Sequence, residues 1–174
     1  MKKIILFNII IFMSIFSVFG QDDLNKKVFD KKTGDSILVG YCNREGIEVG
    51  TFGEFFKNEY SVFEPYLGYL RENIKKFEGI SIIIVLATWC KDSKEQVPRF
   101  LKILDSLGFK NEKITIICVD RNKKAGNVSI ENLYVELVPT FIFYKNNQQL
   151  GRIIETPMES LENDIGEIIS DENK

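Results

Sequence analysis

Residues 87–100 read "ATWCKDSKEQVPRF": Trp89 and Cys90 directly follow an apolar run, Ser93 lies three positions after the cysteine, and Pro98 lies further on. The run itself, "ISIIIVLA" over 80–87, is almost continuously apolar and β-branched, which predicts a strand buried on both faces of a sheet. Downstream, Val97, Phe100, Leu101, Leu104 and Leu107 recur at three- and four-residue steps and predict a helix that Gly108 ends. Cys90 therefore stands at a strand-to-helix junction, where unpaired first-turn N–H groups and the positive end of the helix dipole stabilise a thiolate. Lys91 adds a positive charge beside it, Asp92 opposes that charge, and the Ser93 hydroxyl is expected to donate a hydrogen bond to the sulfur.

Outward from this junction the chain alternates between strand and helix patterns. "KITIICVD", 113–120, predicts a second buried strand, and the loop "RNKKAGN" leads into a short helical stretch containing Ile130 and Leu133. "TFIFYKNNQQLGRIIE" predicts a hairpin around "KNNQ", and "PMESLENDIGEIIS" a last amphipathic helix with Pro157 in its first turn. Toward the N-terminus, "KKTGDS" predicts a turn around Gly34, and "ILVGY", 37–41, a strand. Phe63, Tyr66, Leu67, Leu70, Ile74 and Phe77 predict an amphipathic helix over 64–77, ended by Gly79. Phe52, Phe55, Phe56 and Tyr60 form an aromatic stripe, read as packing of an N-terminal extension against the domain rather than as a ligand site. A βαβ unit followed by ββα defines an α/β class with a mixed sheet flanked by helices.

Composition narrows the chemistry. The 174 residues, 44% hydrophobic and 28% charged, suit one globular domain. A net charge of −2 with scattered basic residues speaks against nucleic acid as a partner. The absence of histidine removes Ser-His and Cys-His nucleophilic pairs and the commonest zinc ligand sets, so neither a metal nor another cofactor is expected. Residues 1–20, "MKKIILFNIIIFMSIFSVFG", place Lys2 and Lys3 before an apolar stretch and are expected to be a secretory signal peptide. The stretch is shorter than the roughly 20 residues of a membrane-spanning helix. The expected organisation is a signal peptide at 1–20 and one domain at 21–174, with 21–63 as its extension. The domain is expected to be exported, periplasmic or extracellular, and membrane-bound only if residues 4–19 remain as an uncleaved anchor.

Several linked features together resemble the thioredoxin superfamily over about residues 37–171. They are Trp89 and Cys90 at a strand–helix junction, Pro98 eight residues after Cys90, the "VPT" of Val138, Pro139 and Thr140 at the start of the hairpin, and Gly151 in its second strand. With "VGYCNREG" the wider arrangement looks like the exported bacterial TlpA and ResA type. The resemblance implies a thioredoxin fold, Cys90 as the nucleophile of thiol–disulfide exchange, and a cis-proline at 139 facing it. It also implies that Trp89, Val138, Pro139 and Thr140 contact substrate. Two positions depart from the family pattern. Ser93 stands where the resolving cysteine belongs, and Ile84 stands where many thioredoxins carry a buried acidic residue. Asp92 or Glu95 is then left for proton transfer, and both also suit an ordinary helix first turn.

A Cys-x-x-Ser site performs the first step of disulfide exchange and lacks the thiol for the second. Small thiols, a partner protein, the substrate's own second cysteine, Cys42 or Cys118 are the candidates for that second step. Cys118, inside a strand, reads as a buried packing thiol; Cys42, at a strand end beside polar "NREG", is the candidate resolving or disulfide-forming residue. Two functions follow. One is a monothiol oxidoreductase acting on exported thiol or disulfide proteins or small thiols; the other is a non-catalytic module that holds an extended peptide between Trp89 and Val138-Pro139. A peroxidase site is not supported, because Thr88 lies two positions before Cys90 rather than three.

Overall fold

The computed structural model describes residues 23–170; the expected signal peptide lies outside them. A hairpin of β1 (Lys27–Asp30) and β2 (Asp35–Leu38) comes first, followed by β3 (Gly40–Cys42) and the helices α1 (Arg44–Ile47), α2 (Gly50–Val62) and α3 (Gly68–Glu72). β4 (Ile80–Leu86), α4 (Lys91–Ser106) and β5 (Ile114–Cys118) form the βαβ unit, and β6 (Thr140–Lys145), β7 (Gln148–Ile154) and α5 (Leu161–Ser170) close the chain. The main sheet has the order β3-β5-β4-β6-β7. β4 and β5 are parallel, as the α4 crossover requires, whereas β3 against β5, β6 against β4 and β7 against β6 are antiparallel.

The two faces of β4 follow from its period of two. Ile80, Ile82, Ile84 and Leu86 enter the larger core, together with Phe100 and Leu104 of α4, Phe52 and Phe56 of α2, and Ile165 and Ile169 of α5. Val85 and Ala87, with Ile83 partly buried, enter a smaller core on the other face, closed by Val119, Ala125, Val138 and the segment holding Ile130 and Leu133. Phe100 joins α4 to the sheet, stacking on Phe141 at 4.1 Å between centroids and meeting Phe143 edge-on at 5.9 Å.

Three expected boundaries change. The 37–41 strand is two strands, because Gly40 at φ +94° turns the chain between β2 and β3. The helix expected over 64–77 is interrupted. Residues 63–67 lie outside any helix or strand, with the Tyr66 N–H donating to Glu162 at 3.0 Å. After α3, Asn73 donates its side-chain amide to the Tyr69 carbonyl at 2.9 Å, and the chain tightens into a 3₁₀ turn over Ile74–Phe77. Pro157 precedes the last helix rather than opening it: Ser160 is its cap, its hydroxyl accepting from the Asn163 N–H at 3.1 Å. The aromatic stripe lies on α2, where Phe52 and Phe56 are buried and Phe55 is exposed. Among the described residues no helix is long and apolar enough to cross a membrane.

Candidate active site

Cys90 is the N-cap of α4, with extended backbone (φ −83°, ψ 136°), and its side chain does not cap the helix. The apolar β4 ends one turn earlier, and the Cys90 N–H donates to the Ala87 carbonyl at 2.9 Å, so the strand end aims the thiol out of the sheet. The thiol is half-buried and donates to the Val138 carbonyl at 3.2 Å, with an Asp92 carboxylate oxygen at 3.8 Å. The Val138-Pro139 peptide bond is cis. Val138 and Pro139 are buried, so this loop offers the thiol backbone rather than side chain. Thr140 is also buried, its hydroxyl donating to the Leu137 carbonyl at 2.7 Å.

Trp89, Cys90, Val138 and Pro139 are thus brought together, and Asp92 is the carboxylate beside the sulfur. Glu95 is not part of this group. It pairs with Arg99 at 2.8 Å, and Arg99 in turn binds Glu59, tying α4 to α2. Ser93 does not bond to the thiol as expected. It is fully buried, and its hydroxyl accepts the Ala87 N–H at 3.2 Å, stitching the strand end to the first helical turn. Ile84 is fully buried within β4. Cys42 lies on β3, two strands from β4, and belongs to the larger core, whereas Cys90 packs against the smaller one. The fold does not bring Cys42 to Cys90. Among the described residues no cluster of side chains suited to a metal is present.

One part of the site was not foreseen from the sequence. The Trp89 indole donates to the Val119 carbonyl at 3.2 Å, and the Arg121 guanidinium lies over its ring at 4.7 Å. Arg121 is held by Asp30 of the N-terminal hairpin through contacts of 2.6 to 3.0 Å. The Arg121 guanidinium holds the Asp30 carboxyl well below the usual carboxylate range, with Thr33 and the Lys32 N–H adding hydrogen bonds. The available signal was positional: Arg121 follows a strand parallel to β4, so it emerges at the same sheet edge as Trp89. Beside the indole, a cavity of about 410 Å³ opens between the hairpin and α2, lined by Lys27, Leu38, Phe55, Trp89 and Lys94 among others.

A family model for Thioredoxin matches residues 68–167. The chain belongs to the thioredoxin family, and its mixed sheet with flanking helices is the thioredoxin fold. It is 33% identical over 92 residues to Thioredoxin Asp f 29 of Aspergillus fumigatus, covering 53% of this chain and 80% of that protein. It is also 33% identical over 82 residues to the chloroplastic Thioredoxin Y of Oryza sativa subsp. japonica, covering 47% of this chain and 45% of the relative. Among solved structures, the germline-specific thioredoxin Deadhead of Drosophila melanogaster aligns at 18% identity with a TM-score of 0.37, covering 59% of this chain and 89% of that one.

Proposed function

We propose that this protein is an exported monothiol thiol–disulfide oxidoreductase of the TlpA and ResA type, working through Cys90 on protein or small-molecule disulfides. The observation that carries the reading is the position of the Cys90 thiol, at the start of α4 and 3.2 Å from the Val138 carbonyl. A disulfide substrate lying along that loop presents a sulfur to Cys90. The thiol loses its proton and the sulfur attacks one substrate sulfur. The substrate S–S bond breaks, a mixed disulfide forms on Cys90, and the other substrate sulfur leaves as a thiolate that takes up a proton. Asp92, with a carboxylate oxygen 3.8 Å from the sulfur, is the group placed to exchange the proton. Ser93 cannot attack the mixed disulfide, because a hydroxyl neither ionises appreciably at neutral pH nor forms a disulfide. A thiol from outside the chain therefore completes the cycle, attacking the Cys90 mixed disulfide and regenerating the free thiol. The cavity beside Trp89 is lined by Thr88 and Trp89, the two residues before Cys90.

The experiment is purification under non-reducing conditions followed by mass analysis of Cys90. The expected result is a reductant-sensitive adduct, absent in Cys90→Ser. Ser93→Cys should shorten the adduct's lifetime and confer turnover in a disulfide-reduction assay. Native protein free of adducts, with no activity gained by Ser93→Cys, would replace this reading with that of a non-catalytic peptide-binding module.

A further inference from the structure

The remaining two cysteines lie together, away from Cys90. In the pairing of β3 with β5, Gly40 opposes Cys118 and Cys42 opposes Ile116, so Cys42 and Cys118 are diagonal neighbours. Both belong to the larger core and so face the same side of the sheet. The Cys42 side chain leans back along its own strand, its Sγ lying 3.7 Å from the Gly40 carbonyl, the position directly opposite Cys118. Diagonal partners in an antiparallel pair are about 7–8 Å apart at Cα, just beyond the roughly 6.8 Å that a disulfide usually spans. β3 has three residues and a single neighbour in the main sheet, so it can make the remaining approach.

We propose that Cys42 and Cys118 form a second thiol–disulfide site, a reversible internal disulfide that fastens the N-terminal extension to the central sheet. Access is one-sided. A cavity of about 250 Å³ is lined by Cys42, Asn43, Arg44, Asn111 and Ile116 among others, whereas Cys118 is fully buried. The two thiols also differ in acidity. Hydrogen bonding from Cys118 favours the Cys42 thiolate, while that neighbour and burial push the Cys118 thiol up. Cys42 is then the attacking group. With a small disulfide as oxidant, the Cys42 thiol loses its proton and attacks, releasing one small thiol and leaving a mixed disulfide on Cys42. Cys118 then loses its proton and attacks the Cys42 sulfur, the bond to the small group breaks, and a second small thiol leaves. Two protein thiols and one small disulfide become one protein disulfide and two small thiols. This chemistry does not involve Cys90, and it removes Cys42 as a resolving thiol for that site.

The test uses folded Cys90→Ser protein, so that its outcome is independent of the fate of Cys90. The protein is incubated with 2-hydroxyethyl disulfide, denatured, alkylated and mapped by mass spectrometry. Alkylatable sites should fall from two to none, with a reductant-sensitive cross-link between the Cys42 and Cys118 peptides. Adding Cys118→Ser should instead leave a stable mixed disulfide on Cys42. The same mapping on the unsubstituted chain, in which Cys42 and Cys118 should be protected together, covers the case of a poorly folding variant. Cys42 and Cys118 that both remain alkylatable, or a persistent mixed disulfide on Cys42 with Cys118 present, would overturn the proposal.

Discussion

Ser93 shows how one residue can be misread when only its sequence neighbours are known. Its spacing from Cys90 suggested a partner for the sulfur, yet its hydroxyl accepts a buried backbone N–H from Ala87. Ser93→Ala should therefore destabilise the fold by about 1–3 kcal/mol, because the Ala87 donor is left buried and unpaired; urea denaturation measures this. Asp30 gives a pH signature. Its pKa in the folded protein lies below the ordinary 3.8, so the stabilisation it supplies is present above that value and is lost as pH falls through it toward the folded value. Asp30→Asn should flatten the acid limb of the stability profile and loosen Arg121 over Trp89, read as a change in indole fluorescence. An unchanged acid limb in Asp30→Asn would show that the Arg121 contact does not set it. Cys90 and its junction were legible because their signals are local; Arg121 was not, because Trp89 and Arg121 meet only once β4 and β5 align.

Elements were legible where periodicity and a stop signal agreed. α4 has both: its apolar face repeats at helical spacing and Gly108, at φ +71°, ends it. The β6–β7 turn is equally explicit, with Asn146 at φ 51° and Asn147 at φ 64°, the backbone of a two-residue hairpin loop. α2 was harder to read. Its aromatic stripe at steps of three and four belongs to a helix whose cap residue, Val49, makes no side-chain hydrogen bond, so no start signal precedes it. Gly53 within α2 supplies a test. An exposed helical glycine replaced by alanine usually gains about 1 kcal/mol. Here an added Cβ would collide with the backbone carbonyl of Glu48. Gly53→Ala should instead lower stability, by about 1–3 kcal/mol as for overpacked cores, and a higher thermal midpoint for the variant would refute the contact.

At the scale of the whole molecule, Phe100 links the helical layer to the sheet, and the helix that starts at Cys90 is anchored by the same contact. Phe100→Ala should cost about 3–5 kcal/mol, with the alkylation rate of Cys90, set by the start of α4, changing at the same denaturant midpoint as secondary structure. Separate midpoints would mean that α4 opens independently of the core. The sequence alone determined that β4 has two buried faces, that a helix begins at Cys90, and that a hairpin and a helix close the chain. Each of these depends on near neighbours, through side-chain period, caps and turn residues. The tertiary structure alone decided that the Val138 carbonyl, 48 residues away, meets the Cys90 thiol, that Asp30 and Arg121 secure Trp89, and that Cys42 lies beside Cys118. Those meetings depend on strand order and register, which arise from packing the whole core and leave no periodic mark on the chain.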